Sequence, residues 1–138
     1  MLDHITITTK DFEKTISFYE KLLGTLDIEK LVEYKNEVVG FGKDKPHFWI
    51  GANDNRHPVS QNIHLGFVAE NKDQVEEFYK VAIEQGATDN GKPGYRVESH
   101  EGYYACFVFD FDGNNIEAVF REITNNIISR KVNYKKLN

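Results

Sequence analysis

The chain carries an internal repeat that places two similar segments sixty positions apart. Residues 4–8 read His-Ile-Thr-Ile-Thr and residues 64–68 read His-Leu-Gly-Phe-Val, so each is a short strand-like run that begins with a histidine. A Phe-Tyr pair starts fourteen positions after each histidine, at 18–19 and at 78–79. Repetition at a fixed offset indicates two copies of one supersecondary unit. We therefore expect two equivalent modules, with a histidine at the same position in each and a shared site between them.

Composition and charge exclude several classes of protein. Of the 138 residues, 40% are hydrophobic, which is ordinary for a globular protein, and the formal net charge is −5. An acidic chain is not expected to bind nucleic acid, because nucleic-acid-binding proteins usually carry a basic face. No apolar run approaches the roughly 18 residues that a membrane span needs, and the N-terminus has no signal-peptide pattern. With Cys106 as its single cysteine, the sequence predicts a cytoplasmic protein without disulfides.

Apolar periodicity predicts the same order of elements in both modules. The first module, residues 1–51, is predicted to contain a strand at 2–9, a helix at 10–23 that stops at Gly24, and strands at about 27–35, 36–42 and 46–51. Residues 52–60 are polar and are interpreted as a linker. The second module, residues 61–122, is predicted to contain a strand at 61–69, a helix at 72–85, a loop at 90–94 and strands near 95–99, 103–110 and 115–122. The tail, residues 123–138, is not assigned.

Strand, helix and three strands, occurring twice, predict an α+β fold. In two tandem βαβββ modules of this kind, each sheet has one face covered by its helix and one uncovered face. We expect the modules to form a curved, partly closed sheet around a cleft that the uncovered faces line.

Three side chains of metal-ligand type are predicted on those uncovered faces. Strand alternation puts Ile5 and Ile7 toward the helix and His4 away from it. The same parity applies to His64 in the second module and to Glu117 in the last strand. Two imidazoles and one carboxylate suit Zn, Ni, Mn or Fe(II) and leave open coordination positions. The sequence therefore predicts a divalent metal ion in the cleft, although a single histidine at a strand start is more often a surface residue.

These residues carry a family resemblance over residues 2–122. Each module opens with a histidine, His4 or His64, and the run at 110–117 reads Asp-Phe-Asp-Gly-Asn-Asn-Ile-Glu. That run is similar to the D-P-D-G-N-x-I-E pattern of the vicinal oxygen chelate superfamily, with Phe111 where proline is common. This superfamily includes the glyoxalases, the extradiol dioxygenases and the bleomycin-resistance proteins. The resemblance implies the fold described above, His4, His64 and Glu117 as the metal ligands, and a homodimer.

Two departures from the family pattern limit what the resemblance implies. Glyoxalases of this family usually have a fourth ligand, a glutamate near the end of the first module, where this chain has Trp49. We interpret Trp49 as a substrate-binding aromatic wall, with ordinary packing as the alternative. Extradiol dioxygenases usually have a catalytic tyrosine three residues before the turn, where this chain has Phe107. The resemblance therefore implies a three-ligand site and gives less support to ring cleavage.

Four further residues are predicted to serve the site. His100 is a candidate general acid or base, because imidazole titrates near neutral pH. Tyr104 is a candidate hydrogen-bond donor to a substrate oxygen, with cross-strand packing as the alternative. His47 is predicted to line the cleft beside Trp49. Arg96 is predicted to bind an anionic group of the substrate through its planar guanidinium, although most such arginines are surface residues.

The leading functional hypothesis is a glyoxalase-like metalloenzyme. It is expected to be a lyase or isomerase that acts on a small oxygenated or thiol-conjugated metabolite through a metal-stabilised oxyanion. The alternatives are an extradiol-type dioxygenase, a fosfomycin-type thiol transferase and a metal-free resistance protein that binds an aromatic drug. Whether the two modules close one cleft within a chain or exchange partners between chains stays open.

Overall fold

The computed structural model describes residues 1–122, in which the elements follow the predicted order. The first half contains β1 (Ile5–Thr9), α1 (Phe12–Gly24), β2 (Glu29–Tyr34), β3 (Val38–Gly42) and β4 (Pro46–Ala52). The second half contains β5 (His64–Val68), α2 (Lys72–Glu84), β6 (Thr88–Tyr95), β7 (Tyr103–Phe109) and β8 (Asn115–Arg121). The tail, residues 123–138, lies outside the described residues.

The strands form two four-stranded sheets of the same topology. Their orders are β1-β4-β3-β2 and β5-β8-β7-β6, so the first strand of each half lies at the edge of its sheet. In each sheet that first strand pairs in parallel with the last, and the other pairs are antiparallel. The predicted α+β fold of two βαβββ modules is confirmed, and the sheets are curved without closing into barrels.

The two helices repeat at the sixty-residue offset, from Phe12–Gly24 to Lys72–Glu84. Their caps repeat as well, because the side chains of Asp11 and Asn71 accept hydrogen bonds from backbone N–H groups of the first turn. Helix α1 ends at Gly24, one residue beyond the last helical residue that the sequence predicts, and the left-handed backbone comes later, at Asp27 with φ 57°. Neither helix is long and apolar enough to cross a membrane.

One core lies between the helices and the sheets and joins the two halves. Phe48 on β4 packs against Phe67 on β5, with ring centres 5.3 Å apart in an edge-on arrangement. Tyr19 on α1 packs against Phe48 at 5.2 Å. The core lies on the helix side of each sheet, so no helix covers the opposite faces, which are called the open faces below.

The Gly- and Pro-rich segment at 90–94 corrects the sequence prediction. The sequence predicts a loop here followed by a strand at 95–99, but the segment belongs to strand β6, and residues 96–102 form the turn before β7. Proline is tolerated here because β6 is an edge strand, where one side of the backbone lacks ladder hydrogen bonds. The register between β6 and β7 shifts at Gly91 and Gly94, so the segment pairs irregularly.

The turn at 110–114 links the two halves through hydrogen bonds. Tyr19 of α1 donates its hydroxyl hydrogen to Asp110 Oδ2 over 2.7 Å, and both residues are buried. Asn114 donates to the Ser60 carbonyl over 3.0 Å and accepts from the Ile63 backbone N–H over 3.1 Å. The family-like run therefore has a structural function: it holds the segment that leads into β5 against the first half of the chain.

Candidate metal site

The open face of the second sheet is set by the pairing of β8 with its two neighbours, β5 and β7. Glu117 of β8 lies opposite Gly66 of β5 on one side and Phe107 of β7 on the other. Cross-strand partners share a face, so Glu117 points away from α2. His64, two residues before Gly66, is on the same face.

Glu117 and His64 form a close pair on this face. His64 Nε2 donates to Glu117 Oε2 over 2.9 Å; the Glu117 side chain is 5% exposed and the His64 side chain 55%. Ligands at about 2.1 Å from one metal ion stand about 3 Å apart, so the donor atoms of this pair are suitably spaced for a common ion. Gly66 leaves room for the carboxylate, because a Cβ there would lie 3.3 Å from Glu117 Oε2.

Tyr103 is a site residue that the sequence interpretation missed. Its hydroxyl donates to Glu117 Oε1, so the two carboxylate oxygens have different partners. Burial, followed by the hydrogen bond to Glu117, raises the pKa of the Tyr103 phenol to about 12. The phenol therefore stays a hydrogen-bond donor at physiological pH and fixes the orientation of the carboxylate.

Tyr104, which the sequence prediction placed at the site, lies on the other side of the sheet. Its hydroxyl donates to Glu76 on α2, and this hydrogen bond raises the pKa of Tyr104 to about 12. The physical reason is strand parity. The hairpin pairs Phe107 with Glu117, so Tyr103 faces the carboxylate and Tyr104 faces the helix.

His4 is not brought to the His64–Glu117 pair. Its Nδ1 lies 2.8 Å from Asp3 Oδ1, and its side chain is exposed. Within residues 1–122, no three His, Cys, Asp or Glu side chains are grouped to hold a metal ion. The segment before β5 meets β1 at Thr8, where Ser60 N donates to the Thr8 carbonyl over 2.8 Å. Thr8 is four residues after His4, which corresponds to about 13 Å along β1.

Trp49 and His47 lie on the open face of the first sheet. Trp49 covers Gly40, where a Cβ would come within 2.9 Å of its ring, and it lines a surface cavity together with His4. His47 Nδ1 donates to the Asp3 carbonyl over 2.8 Å. Both residues therefore accompany His4 on the first sheet, separate from the contacts of the His64–Glu117 pair.

Arg96 and His100 lie beside the pair, in the turn that connects β6 to β7. The Arg96 guanidinium carbon is 5.3 Å from the centre of the Phe107 ring, whose centre is 6.0 Å from that of the His64 imidazole. The His100 imidazole stacks on Tyr103 with ring centres 6.2 Å apart. The second sheet therefore gathers His64, Glu117, Tyr103, Phe107, Arg96 and His100.

Cys106 faces the helix side and takes no part in this face. It is fully buried, and its Sγ lies 3.5 Å from the carbonyl of Val75 on α2. Burial raises the pKa of the Cys106 thiol to about 12. The thiol is thus protonated at neutral pH and is not a nucleophile.

Comparison with known proteins identifies the family of the chain. The sequence model of the Glyoxalase/Bleomycin resistance protein/Dioxygenase superfamily matches residues 1–118. The chain belongs to this superfamily. The predicted resemblance is thereby confirmed, because the match extends from the first strand through Glu117. No curated protein matches the chain.

Solved structures of the superfamily share the fold. A glyoxalase/bleomycin resistance protein from Albidiferax ferrireducens T118 is 30% identical, with a TM-score of 0.75 over 85% of this chain and 96% of its own. A variant of the fosfomycin resistance protein FosX from Listeria monocytogenes, in complex with Mn(II) and 1S,2S-dihydroxypropylphosphonic acid, is 21% identical, with a TM-score of 0.61. That match covers 86% of this chain and 87% of the other. Lactoylglutathione lyase from Agrobacterium tumefaciens is 17% identical, with a TM-score of 0.62 over 86% of this chain and 92% of its own.

Proposed function

We propose that this chain is a glyoxalase-like metalloenzyme whose site holds a divalent ion on His64, Glu117 and His4 from a second copy. The observation that carries the proposal is the buried Glu117 carboxylate, with His64 Nε2 2.9 Å from one oxygen and the Tyr103 hydroxyl on the other. A buried carboxylate without a cation is costly, and an imidazole beside it supplies a second ligand of suitable type. The match to a superfamily structure that contains Mn(II) supports a divalent ion.

The third ligand is assigned to a second copy because His4 lies away from the pair in its own chain. Strands β1 and β5 both lie at sheet edges, which are the natural surfaces for pairing with another chain. On β5, Val68 shares the face of His64 and is 75% exposed, an apolar side chain that association would cover. A twofold dimer in which β1 of one copy approaches β5 of the other would form two identical sites.

The chemistry of such a site follows from its donors. A divalent ion held by His64, Glu117 and the second copy's His4 would polarise a substrate oxygen and stabilise negative charge that develops on it. Tyr103 keeps Glu117 in a fixed orientation by donating to Oε1. His100, stacked on Tyr103 and exposed to solvent, is the candidate to move a proton to or from the substrate. Trp49 of the second copy, on the open face that carries His4, would wall the cleft.

Lyase or isomerase chemistry on a small oxygenated or thiol-conjugated metabolite is the reaction class we propose. It needs a polarised oxygen and one proton-transferring group, and the second sheet offers candidates for both. Ring cleavage has less support, because Phe107 lies opposite Glu117 on the site face, where the dioxygenase pattern has a catalytic tyrosine.

The proposal predicts one divalent ion per chain. Protein stripped of metal with a chelator and dialysed is titrated by calorimetry with Mn, Zn, Ni and Fe(II), and at least one of them should bind at this stoichiometry. The loaded protein is then screened with oxygenated metabolites and thiol conjugates. If none of the four ions binds, the metalloenzyme proposal fails and the metal-free drug-binding alternative replaces it.

A further inference from the structure

Two guanidinium groups on the open face of the second sheet are not explained by metal binding. Arg96 lies over the Phe107 ring, with 5.3 Å between the guanidinium carbon and the ring centre. Arg121, at the end of β8, lies over the Tyr103 ring at 4.4 Å. An arginine held against an aromatic face is more ordered than a free surface arginine. Both side chains therefore present their charge at defined positions.

The two aromatic rings connect these guanidinium groups to the proposed metal ligands. The Phe107 ring centre is 6.0 Å from that of His64, and the Tyr103 hydroxyl donates to Glu117. Each guanidinium is therefore one aromatic side chain away from the His64–Glu117 pair. A small molecule with one oxygen at that pair would therefore lie near both guanidinium groups.

Neither guanidinium is neutralised by a carboxylate within residues 1–122. In that part of the chain, the cation of every side-chain ion pair is a lysine or a histidine. Arg96 donates instead to the Lys92 carbonyl over 2.6 Å, and Arg121 contacts Tyr103. In a chain with 22 acidic residues and a net charge of −5, two arginines that form no ion pair within residues 1–122 on one face are unusual.

The backbone around these side chains is also fixed. Arg96 N donates to the Tyr103 carbonyl over 2.8 Å, and Glu122 N donates to the Gly102 carbonyl over 2.8 Å. These two bonds tie the 96–102 turn to the ends of β7 and β8. The backbone of the turn is therefore preorganised, which lowers the ordering cost for a ligand that uses both guanidinium groups.

We propose that Arg96 and Arg121 form an oxyanion-binding subsite beside the His64–Glu117 pair. A guanidinium pairs in a bidentate manner with carboxylate, phosphate and phosphonate groups, so the substrate carries one of these in addition to its oxygen donor. That the neighbouring His64–Glu117 pair binds a metal ion rests on the proposed function, whereas anion binding at the two arginines needs no metal. The Glu117 carboxylate repels an anion, which places the oxyanion on the guanidinium side. A neutral catechol or an uncharged aromatic drug would leave both cations without a partner.

The subsite is tested on metal-free, full-length protein at constant ionic strength by NMR titration. Inorganic phosphate and acetate are the two anionic probes, and acetamide is the neutral counterpart of acetate. We expect the wild type to bind at least one anion and not acetamide, with shifts at His64, Tyr103 and Phe107. Arg96→Gln and Arg121→Gln should each weaken anion binding by roughly tenfold, because each removes a charge-assisted contact. Whether phosphate or acetate binds more tightly distinguishes a phosphoryl-type from a carboxylate substrate.

Control variants separate this result from folding and from the metal site. Arg56→Gln makes the same charge change in the 52–60 segment and should bind phosphate like the wild type. Arg96→Lys keeps the charge, so it reports on the subsite even if Arg96→Gln is unstable. Its phosphate affinity should fall between those of Arg96→Gln and the wild type. His4→Ala should lose metal binding but keep phosphate binding. The anion result can therefore be interpreted even if the proposed metal site is wrong. The subsite is rejected if both Gln variants bind phosphate as the wild type does, or if Arg56→Gln weakens it equally.

Discussion

Glu117→Gln is expected to abolish divalent-metal binding while the protein stays folded. The carboxylate supplies the only negatively charged group of the proposed ligand set, and glutamine of the same size removes that charge. Partners in the outer shell of a metal site are each worth about 10–100-fold in affinity, so loss of a direct ligand should exceed about 100-fold. Calorimetric titration with the ion that binds most tightly to the wild type measures the effect.

The fold of Glu117→Gln should survive because the amide can replace both hydrogen bonds of the carboxylate. Its oxygen accepts from Tyr103, and its nitrogen can donate to neutral His64. Glu76→Gln is the matched control, since Glu76 also accepts from a tyrosine, Tyr104, but on the helix side of the sheet. It should bind metal like the wild type. Equal metal affinity in Glu117→Gln and the wild type would show that the carboxylate is not a ligand.

Asp110→Ala is expected to destabilise the chain by about 3 kcal/mol, the second large effect. The buried carboxyl accepts from the Tyr19 hydroxyl, from the Asn114 side chain, and from the backbone N–H groups of Asp112 and Asn114. Alanine leaves these donors without a partner where water does not reach, since Tyr19 and Asn114 are both fully buried. Urea unfolding followed by circular dichroism gives the change in free energy of unfolding.

Two control variants show whether the cost comes from burial. Tyr19→Phe removes a single donor and should cost about 1 kcal/mol. Asp54→Ala removes an exposed carboxylate that likewise accepts from two backbone N–H groups, at Arg56 and His57, and its effect should be much smaller. If Asp110→Ala lowers the free energy of unfolding no more than Asp54→Ala does, the buried hydrogen bonds of the 110–114 turn do not stabilise the contact between the two halves.

The order of elements could be predicted because it depends on local patterns. Helical periodicity and strand alternation act within about ten residues, and the repeat supplies each pattern twice. The segment at 90–94 could not be assigned this way. Glycine and proline usually break strands, but an edge strand with bulges accepts both, and the position of an edge is a property of the whole sheet.

The candidate site was predictable to the extent that strand parity sets it. Parity placed His64 and Glu117 on one face, and the structure brings them together. The sequence analysis names Tyr104, which faces the helix, and does not consider Tyr103. Counting back from the Phe109–Asn115 pair at the turn puts Phe107 opposite Glu117, and therefore Tyr103 on the face of Glu117. The location of His4 was not predictable, because it depends on how two modules pack across long sequence separations.

In the proposed dimer, His4 of one copy completes the site on His64 and Glu117 of the other, and mixed dimers test this arrangement most directly. His4→Ala and Glu117→Gln are each expected to bind no metal alone. Mixed in equal amounts and allowed to exchange subunits, half of the dimers contain one of each, and every mixed dimer has one intact site. Metal binding should therefore recover to about a quarter of the wild-type level.

The control is a mixture of His64→Ala with Glu117→Gln. One copy supplies both of these residues to each site, so every site in a mixed dimer lacks one ligand. Metal binding should therefore stay near zero. Metal content of the exchanged dimers, measured by calorimetry at saturating ion, is the deciding quantity. Recovery in the first mixture and none in the second is the predicted result; no recovery in the first, with confirmed subunit exchange, would contradict a site shared between two copies.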